Sequence, residues 1–136
     1  MGTAYIQIGF VDLNSLLGGI AAGSFAAAVL MVNNIRDIET DKSSSKKTLA
    51  VRMGAKWSKR LFLLMIWFPF LILLYFTLLY PASFLAFGAI FLLAPATIIV
   101  LTAKTAKELI LVLKLTSFAS LAYALLLTLG LVVVFF

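Results

Sequence analysis

From residue 61 to residue 103 the chain reads LFLLMIWFPFLILLYFTLLYPASFLAFGAIFLLAPATIIVLTA, without one charged side chain. A helix that crosses a bilayer needs about 20 predominantly apolar residues, so a stretch of this length crosses twice. Pro81, directly after Tyr80, marks the turn, which predicts helices near 61–80 and 82–103. Two further charge-free stretches, 13–35 and 115–136, are each long enough for one crossing. A membrane β-barrel strand alternates apolar and polar residues; Leu61-Phe62-Leu63-Leu64-Met65-Ile66-Trp67 does not alternate. The predicted fold is all-α, an integral membrane protein with four transmembrane helices and a motif-bearing loop over 36–60.

The composition agrees. Of the 136 residues, 64% are hydrophobic and 12% charged, with a mean hydropathy of +1.17. Soluble domains carry roughly 25% charged residues, so this chain cannot cover a surface facing water. That excludes soluble enzymes, disordered tails and nucleic acid as a partner; the partner is the lipid bilayer. With Cys 0 and His 0, the chain has no disulfide, no thiolate and no imidazole. Its chemistry is left to carboxylates, amides, amines, hydroxyls and phenols, which suits a hard cation better than zinc, copper or haem.

Charge placement sets the orientation. All 11 Lys and Arg residues fall in 36–60 and 104–114. The helix pair between these segments returns the chain to its starting side, so both lie on one face. The positive-inside rule makes that face cytoplasmic and predicts a multi-pass protein of the cell membrane. On the first helix, Gly18, Ala22 and Ala26, and likewise Gly19, Gly23 and Ala27, recur every four residues. Such stripes let helices approach closely in lipid. Thr116, Ser117 and Ser120 are expected to hydrogen-bond across helices.

The chemistry concentrates in Asn33-Asn34-Ile35-Arg36-Asp37-Ile38-Glu39-Thr40-Asp41. If the first helix runs on past its apolar span, Asn33, Asp37 and Asp41 share one face at four-residue spacing. Two carboxylates stacked this way repel each other. A divalent cation removes that repulsion, and Mg²⁺ binds one or two carboxylates together with waters and phosphates. The hydroxyls and ammonium groups of Ser43 to Thr48 suit phosphate oxygens. From Thr48 onward a short amphipathic helix is predicted, with Leu49, Met53 and Trp57 on one side and Arg52, Lys56 and Lys59 or Arg60 on another. Basic segments of this kind commonly rest on anionic lipid, and Lys56, Lys59 and Arg60 are read that way.

The 33–41 run, followed by Lys46-Lys47-Thr48-Leu49-Ala50-Val51-Arg52-Met53-Gly54, resembles the second aspartate-rich motif of the UbiA superfamily of intramembrane prenyltransferases. Within that superfamily it looks most like the MenA-type 1,4-dihydroxy-2-naphthoate polyprenyltransferases of menaquinone synthesis. The opening Gly2-Thr3-Ala4-Tyr5-Ile6-Gln7 is similar to the segment that precedes this helix in the family. The specific likeness covers about residues 2–60 and implies a mechanism. Two aspartate-rich motifs hold Mg²⁺ on a polyprenyl diphosphate, the diphosphate leaves, and an electron-rich carbon of the aromatic acceptor attacks the allylic cation. Carried over by position, Asp37 and Asp41 are implied as catalytic metal ligands with Asn33 assisting. Arg36, Lys46 and Arg52 are implied as diphosphate contacts, and Tyr5 and Gln7 as the lining of the aromatic pocket.

Two departures accompany the resemblance. The family usually has Gly immediately before the lysine of the Lys46-Lys47-Thr48 run, where this chain has Ser45; that substitution costs if φ is positive there. The family also has about nine membrane helices and a first motif of NxxxDxxxD type, whereas here the remaining acids, Asp12 and Glu108, stand apart. The chain therefore resembles the C-terminal half of a nine-helix bundle, with an N-terminal half as its expected partner, and is expected to be inactive alone. The alternative is a non-enzymatic four-helix membrane remnant or accessory subunit.

Overall fold

The structure is a computed structural model that describes residues 6–7, 9–10 and 12–133. It is all-helical, with four helical segments long and apolar enough to cross a membrane. In chain order the elements are α1 (Leu13–Arg36), α2 (Ile38–Ser43), α3 (Leu49–Met53), α4 (Ala55–Leu79), a 3-10 segment (Pro81–Ala89), α5 (Ile90–Thr102) and α6 (Ala106–Val133).

Each long helix starts or stops for a local reason. Asp12 caps α1, its carboxylate accepting from the Ser15 amide at 3.3 Å. Thr105 and Glu108 form a reciprocal capping box on α6. The Glu108 carboxylate accepts from the amides of Lys104 and Thr105 at 2.7 and 3.0 Å, and Thr105 Oγ1 accepts from the Glu108 amide at 3.4 Å. The two isolated acids are thus helix caps. This capping box starts α6 at Ala106, well before the apolar stretch that begins at Leu115.

The third crossing is composite. Ser83, Ala86 and Ala89 are buried at a spacing of three, the period of a 3-10 helix. Nine residues of 3-10 and thirteen of α-helix rise roughly 38 Å together, ample for a hydrocarbon core of about 30 Å. The slim, small-residue face lets α6 come close: a Cβ on Gly130 would sit 2.6 Å from the Ala82 carbonyl oxygen. That is the close backbone approach in this fold. The stripe on α1 is not one. A Cβ at Gly18 or Gly23 would meet nothing within 4 Å, because α1 buries Ala21, Phe25, Ala28 and Val32 instead.

At the centre, the rings of Phe25, Phe70 and Tyr123 from α1, α4 and α6 meet edge-on, with centroids 5.1–6.5 Å apart. Polar bonds stitch these helices and α5 together. Tyr123 donates to the Pro69 carbonyl at 2.8 Å, Ser24 to the Met65 carbonyl at 2.6 Å, and Trp67 to Thr97 at 3.2 Å. The residues expected to do this on α6 do not. Ser117 and Ser120 bond back to the Leu113 and Ser117 carbonyls of their own helix, and the buried Thr116 hydroxyl has no partner.

Candidate active site

Asp37 sits at the junction of α1 and α2 with φ −96° and ψ 10°. The helical hydrogen-bond ladder nevertheless runs through it. The Asp37 amide donates to the Asn33 carbonyl at 3.1 Å, and the Asp41 amide to the Asp37 carbonyl at 2.7 Å. Asn33, Asp37 and Asp41 therefore follow one another turn by turn, as their spacing predicts, with a slight kink at Asp37.

Asp41 is 8% exposed, and among the described residues its carboxylate has neither an ion-pair nor a hydrogen-bond partner. Asp37 is more open and is engaged by its neighbour: Arg36 Nε donates to Oδ1 at 2.9 Å and Nη2 to Oδ2 at 3.2 Å. The Arg36 hydrogen bonds, its charge and that of Lys46 hold the Asp37 carboxyl below the usual carboxylate range, against partial desolvation. Asp37 is thus ionised at neutral pH.

The α2 terminus then turns the basic segment back over the acids. The Ser45 amide donates to the Lys42 carbonyl at 3.2 Å, and the Lys46 amide to the Asp41 carbonyl at 2.8 Å. This pair of bonds is a Schellman motif, which needs a left-handed residue between helix and strap. Ser45 supplies it at φ 59°, so the residue that departs from the family's usual glycine occupies a positive-φ position. The backbone of Lys46 is thereby fixed to that of Asp41.

Thr48 caps α3 by accepting from the Val51 amide at 3.3 Å. Gly54, at φ 82° and ψ 162°, ends α3 after one turn. The amphipathic helix predicted from Thr48 through Arg60 is therefore two helices. Gly54 occupies a region that other residues rarely enter, and Trp57, Lys59 and Arg60 belong to α4. Arg52 is exposed on α3, which packs on α1 and α2. Lys59, read as a lipid contact, instead donates to the Ala103 carbonyl at 3.0 Å and caps the end of α5. Arg60 stacks over Trp57, 4.8 Å from the ring centre.

Tyr5 lies outside the described residues. Gln7 is exposed ahead of α1, and that helix of 24 residues, roughly 36 Å long, separates it from Asp37. The fold of this chain does not bring Gln7 to the aspartates. Two apolar grooves, of about 580 and 430 Å³, lie along the helices. The larger is walled by Gly18, Ala22 and Ala26 of α1 and Ser117, Ala124 and Thr128 of α6; neither reaches the aspartate pair.

Residues 1–109 match the UbiA prenyltransferase family. The chain belongs to that family. This UbiA-family chain is similar to a 1,4-dihydroxy-2-naphthoate octaprenyltransferase of Haemophilus influenzae, 50% identical over 54 residues, which are 40% of this chain and 18% of that protein. A protein of the same description from Mycobacterium leprae is 42% identical over 62 residues, 46% of this chain and 21% of the relative. The UbiA prenyltransferase domain-containing protein 1 of Xenopus tropicalis is 33% identical over 67 residues, 49% of this chain and 19% of the relative. The matched region thus spans about a fifth of each relative's length. No solved structure matches the chain.

The UbiA family generally uses Mg²⁺, and the donor set here fits such an ion. Asp37, the partnerless Asp41 carboxylate and the Asn33 amide are hard oxygen donors at the end of a membrane helix, where Mg²⁺ commonly takes one or two carboxylates and completes its shell with water and phosphate. Among the described residues no group of three or more acidic or imidazole side chains gathers; Asn33, Asp37 and Asp41 would supply part of a coordination shell.

Proposed function

We propose that this chain is the portion of a membrane prenyltransferase that carries its second aspartate-rich motif. The enzyme moves a polyprenyl group from its diphosphate to 1,4-dihydroxy-2-naphthoate in menaquinone biosynthesis. The observation that carries this reading is the local geometry. Asp37, the C-cap of α1, and Asp41, in α2, are one helical turn apart, and the Ser45 turn ties the Lys46 backbone to that of Asp41. The relatives' descriptions supply the acceptor.

On this reading Asp37 and Asp41, assisted by Asn33, would hold Mg²⁺, which would supply positive charge to neutralise the diphosphate leaving group. Arg36, Lys46 and Arg52 bind the diphosphate oxygens that face them. The burial of Asp41 and the cover of α3 keep water from one side of the site, which strengthens each of these interactions. The motif lies at the cytoplasmic surface of the cell membrane, since all basic residues gather at that end. The family's first acidic motif, of NxxxDxxxD type, and the rest of the acceptor pocket come from an N-terminal half.

The test is prenyl transfer by the purified chain in lipid with Mg²⁺, a polyprenyl diphosphate and dihydroxynaphthoate, with and without a co-expressed N-terminal half bearing NxxxDxxxD. Product only with both parts is expected. Product that survives Asp37→Ala and Asp41→Ala in the two-part enzyme would show that this motif is not the site.

A further inference from the structure

Arg36 and Asp37 form the one ion pair among the described residues, although six other Lys or Arg side chains lie between residues 42 and 59. The guanidinium grips both carboxylate oxygens, at 2.9 and 3.2 Å, occupying one lone pair on each and placing a positive charge where a cation at Asp37 would approach. Asp41, one turn further on, has no such partner. The site is therefore half blocked by its own chain. Because Arg36 is the adjacent residue, displacing it from Asp37 cannot carry it away from the site. Its planar fork, suited to phosphate as well as carboxylate, is left beside whatever the metal binds.

We propose that Arg36 is an internal counter-cation for Asp37 that is exchanged from the carboxylate to the diphosphate when metal and diphosphate bind. This rests on the reading of Asp37 and Asp41 as the metal-binding motif and adds a specific linkage. Metal alone has to compete with the guanidinium. Metal with diphosphate does not, because the guanidinium gains new acceptors as it leaves the old one. Each ligand thus raises the affinity for the other, as reciprocal linkage requires. The Ser45 turn fixes the Lys46 backbone to that of Asp41 beside this pair.

The experiment titrates the full chain in lipid nanodiscs with Mn²⁺ alone, following free Mn²⁺ by electron paramagnetic resonance. Arg36→Gln should tighten Mn²⁺ binding roughly two- to fivefold, the range expected for releasing a partly exposed ion pair. Lys47→Gln, which removes a charge from the same loop but breaks no ion pair, should change it less. A second measurement follows hydrogen exchange at the Arg36 Nε–H by NMR, with the signal assigned by its loss in Arg36→Lys. Exchange should quicken on adding Mg²⁺ alone and slow again on adding Mg²⁺ with inorganic diphosphate.

If Asp37→Asn weakens Mn²⁺ binding but Arg36→Gln leaves it unchanged or weaker, the counter-cation role is wrong while the metal site stands. Arg36 exchange that ignores both ligands also overturns it. If Asp37→Asn and Asp41→Asn leave Mn²⁺ binding as it was, the metal-site reading itself falls and this inference with it.

Discussion

The hydroxyl of Ser24 donates a 2.6 Å hydrogen bond to the carbonyl oxygen of Met65. Met65 is four residues before Pro69, which has no N–H to return to it. The carbonyl that the proline leaves without its helical donor is therefore satisfied from the neighbouring helix, as an unpaired backbone group in hydrocarbon requires. One turn on, the Pro69 carbonyl accepts from Tyr123 at 2.8 Å, so this proline lies where α1, α4 and α6 are joined.

That relationship makes a paired prediction. Ser24→Ala should destabilise the fold by about 1–2 kcal/mol, the scale of an interhelical hydrogen bond in a membrane. In a Pro69→Ala background Met65 regains a helical donor, and the same Ser24→Ala change should cost clearly less. Unfolding of the four variants in mixed micelles gives the cycle; equal costs in both backgrounds would sever the link between Ser24 and the proline.

Ser45 holds a left-handed conformation at φ 59° so that the Lys46 amide can reach the Asp41 carbonyl. A non-glycine residue there costs on the order of 1 kcal/mol. Ser45→Gly should stabilise the chain by about that amount with the turn intact, and Gly54→Ala, at φ 82° and ψ 162°, should destabilise it by about 1–3 kcal/mol. Thermal unfolding with circular dichroism reads both. A destabilised Ser45→Gly would mean that the serine hydroxyl, rather than the backbone turn, matters at this position.

Gly130 and Gly18 give a contrast on close approach. A Cβ at Gly130 would collide with the Ala82 and Ser83 backbone at 2.6–2.7 Å, whereas one at Gly18 meets nothing within 4 Å. Gly130→Ala should cost about 1–3 kcal/mol through forced separation of α6 from the 3-10 segment. Gly18→Ala should be neutral or slightly stabilising in this chain, since alanine is the better helix former. Comparing their melting temperatures checks the assignment, and equal behaviour would contradict it.

The Arg36–Asp37 pair has a pH signature. Asp37 is held below the ordinary carboxylate value of 3.8 by the Arg36 hydrogen bonds, with the charges of Arg36 and Lys46 adding to them. A depressed carboxylate contributes stability above its unfolded value and loses it as pH falls through the folded value. The wild-type chain should therefore lose stability below about pH 4, and Asp37→Asn should lose less over the same interval. Screening keeps the difference within about 1 kcal/mol for so exposed a pair. Denaturant midpoints from pH 6 down to pH 2 would show it; parallel curves for the two proteins would mean the pair adds nothing.

Legibility in the sequence follows the range of the forces involved. Hydropathy alone announces four crossings, because lipid asks only for length and apolarity. The order of Asn33, Asp37 and Asp41 along one helical path is likewise local. The T-x-x-E pattern of Thr105 and Glu108 and the helix-breaking Gly54 are local signals too, though charge grouping and four-residue amphipathic spacing point elsewhere. Other features depend on what the helices meet. Proline at 69 announces a free carbonyl but not that Ser24 will cap it. The small residues at 18, 22 and 26 announce close packing, but the packing occurs at Gly130. Lys59 reads as one more lipid-facing cation until the fold sets it against Ala103.

That last contact bears on orientation. Lys59 Nζ lies 3.0 Å from the Ala103 carbonyl, so the basic segments before α4 and after α5 meet at one end of the bundle, while the Pro81 turn lies at the other. If the basic end is cytoplasmic, as the positive-inside rule demands, cysteines placed there should be hidden in intact cells. Ser44→Cys and Thr105→Cys, both exposed, should resist an impermeant thiol reagent until the membrane is permeabilised, whereas Pro81→Cys should react from outside. The native chain has Cys 0, so each label reports one site. Labelling of Ser44→Cys and Thr105→Cys from outside, with Pro81→Cys protected, would invert the protein. It would also put Asp37 and Asp41 on the face away from a cytoplasmic supply of polyprenyl diphosphate, and the proposed reaction could not stand.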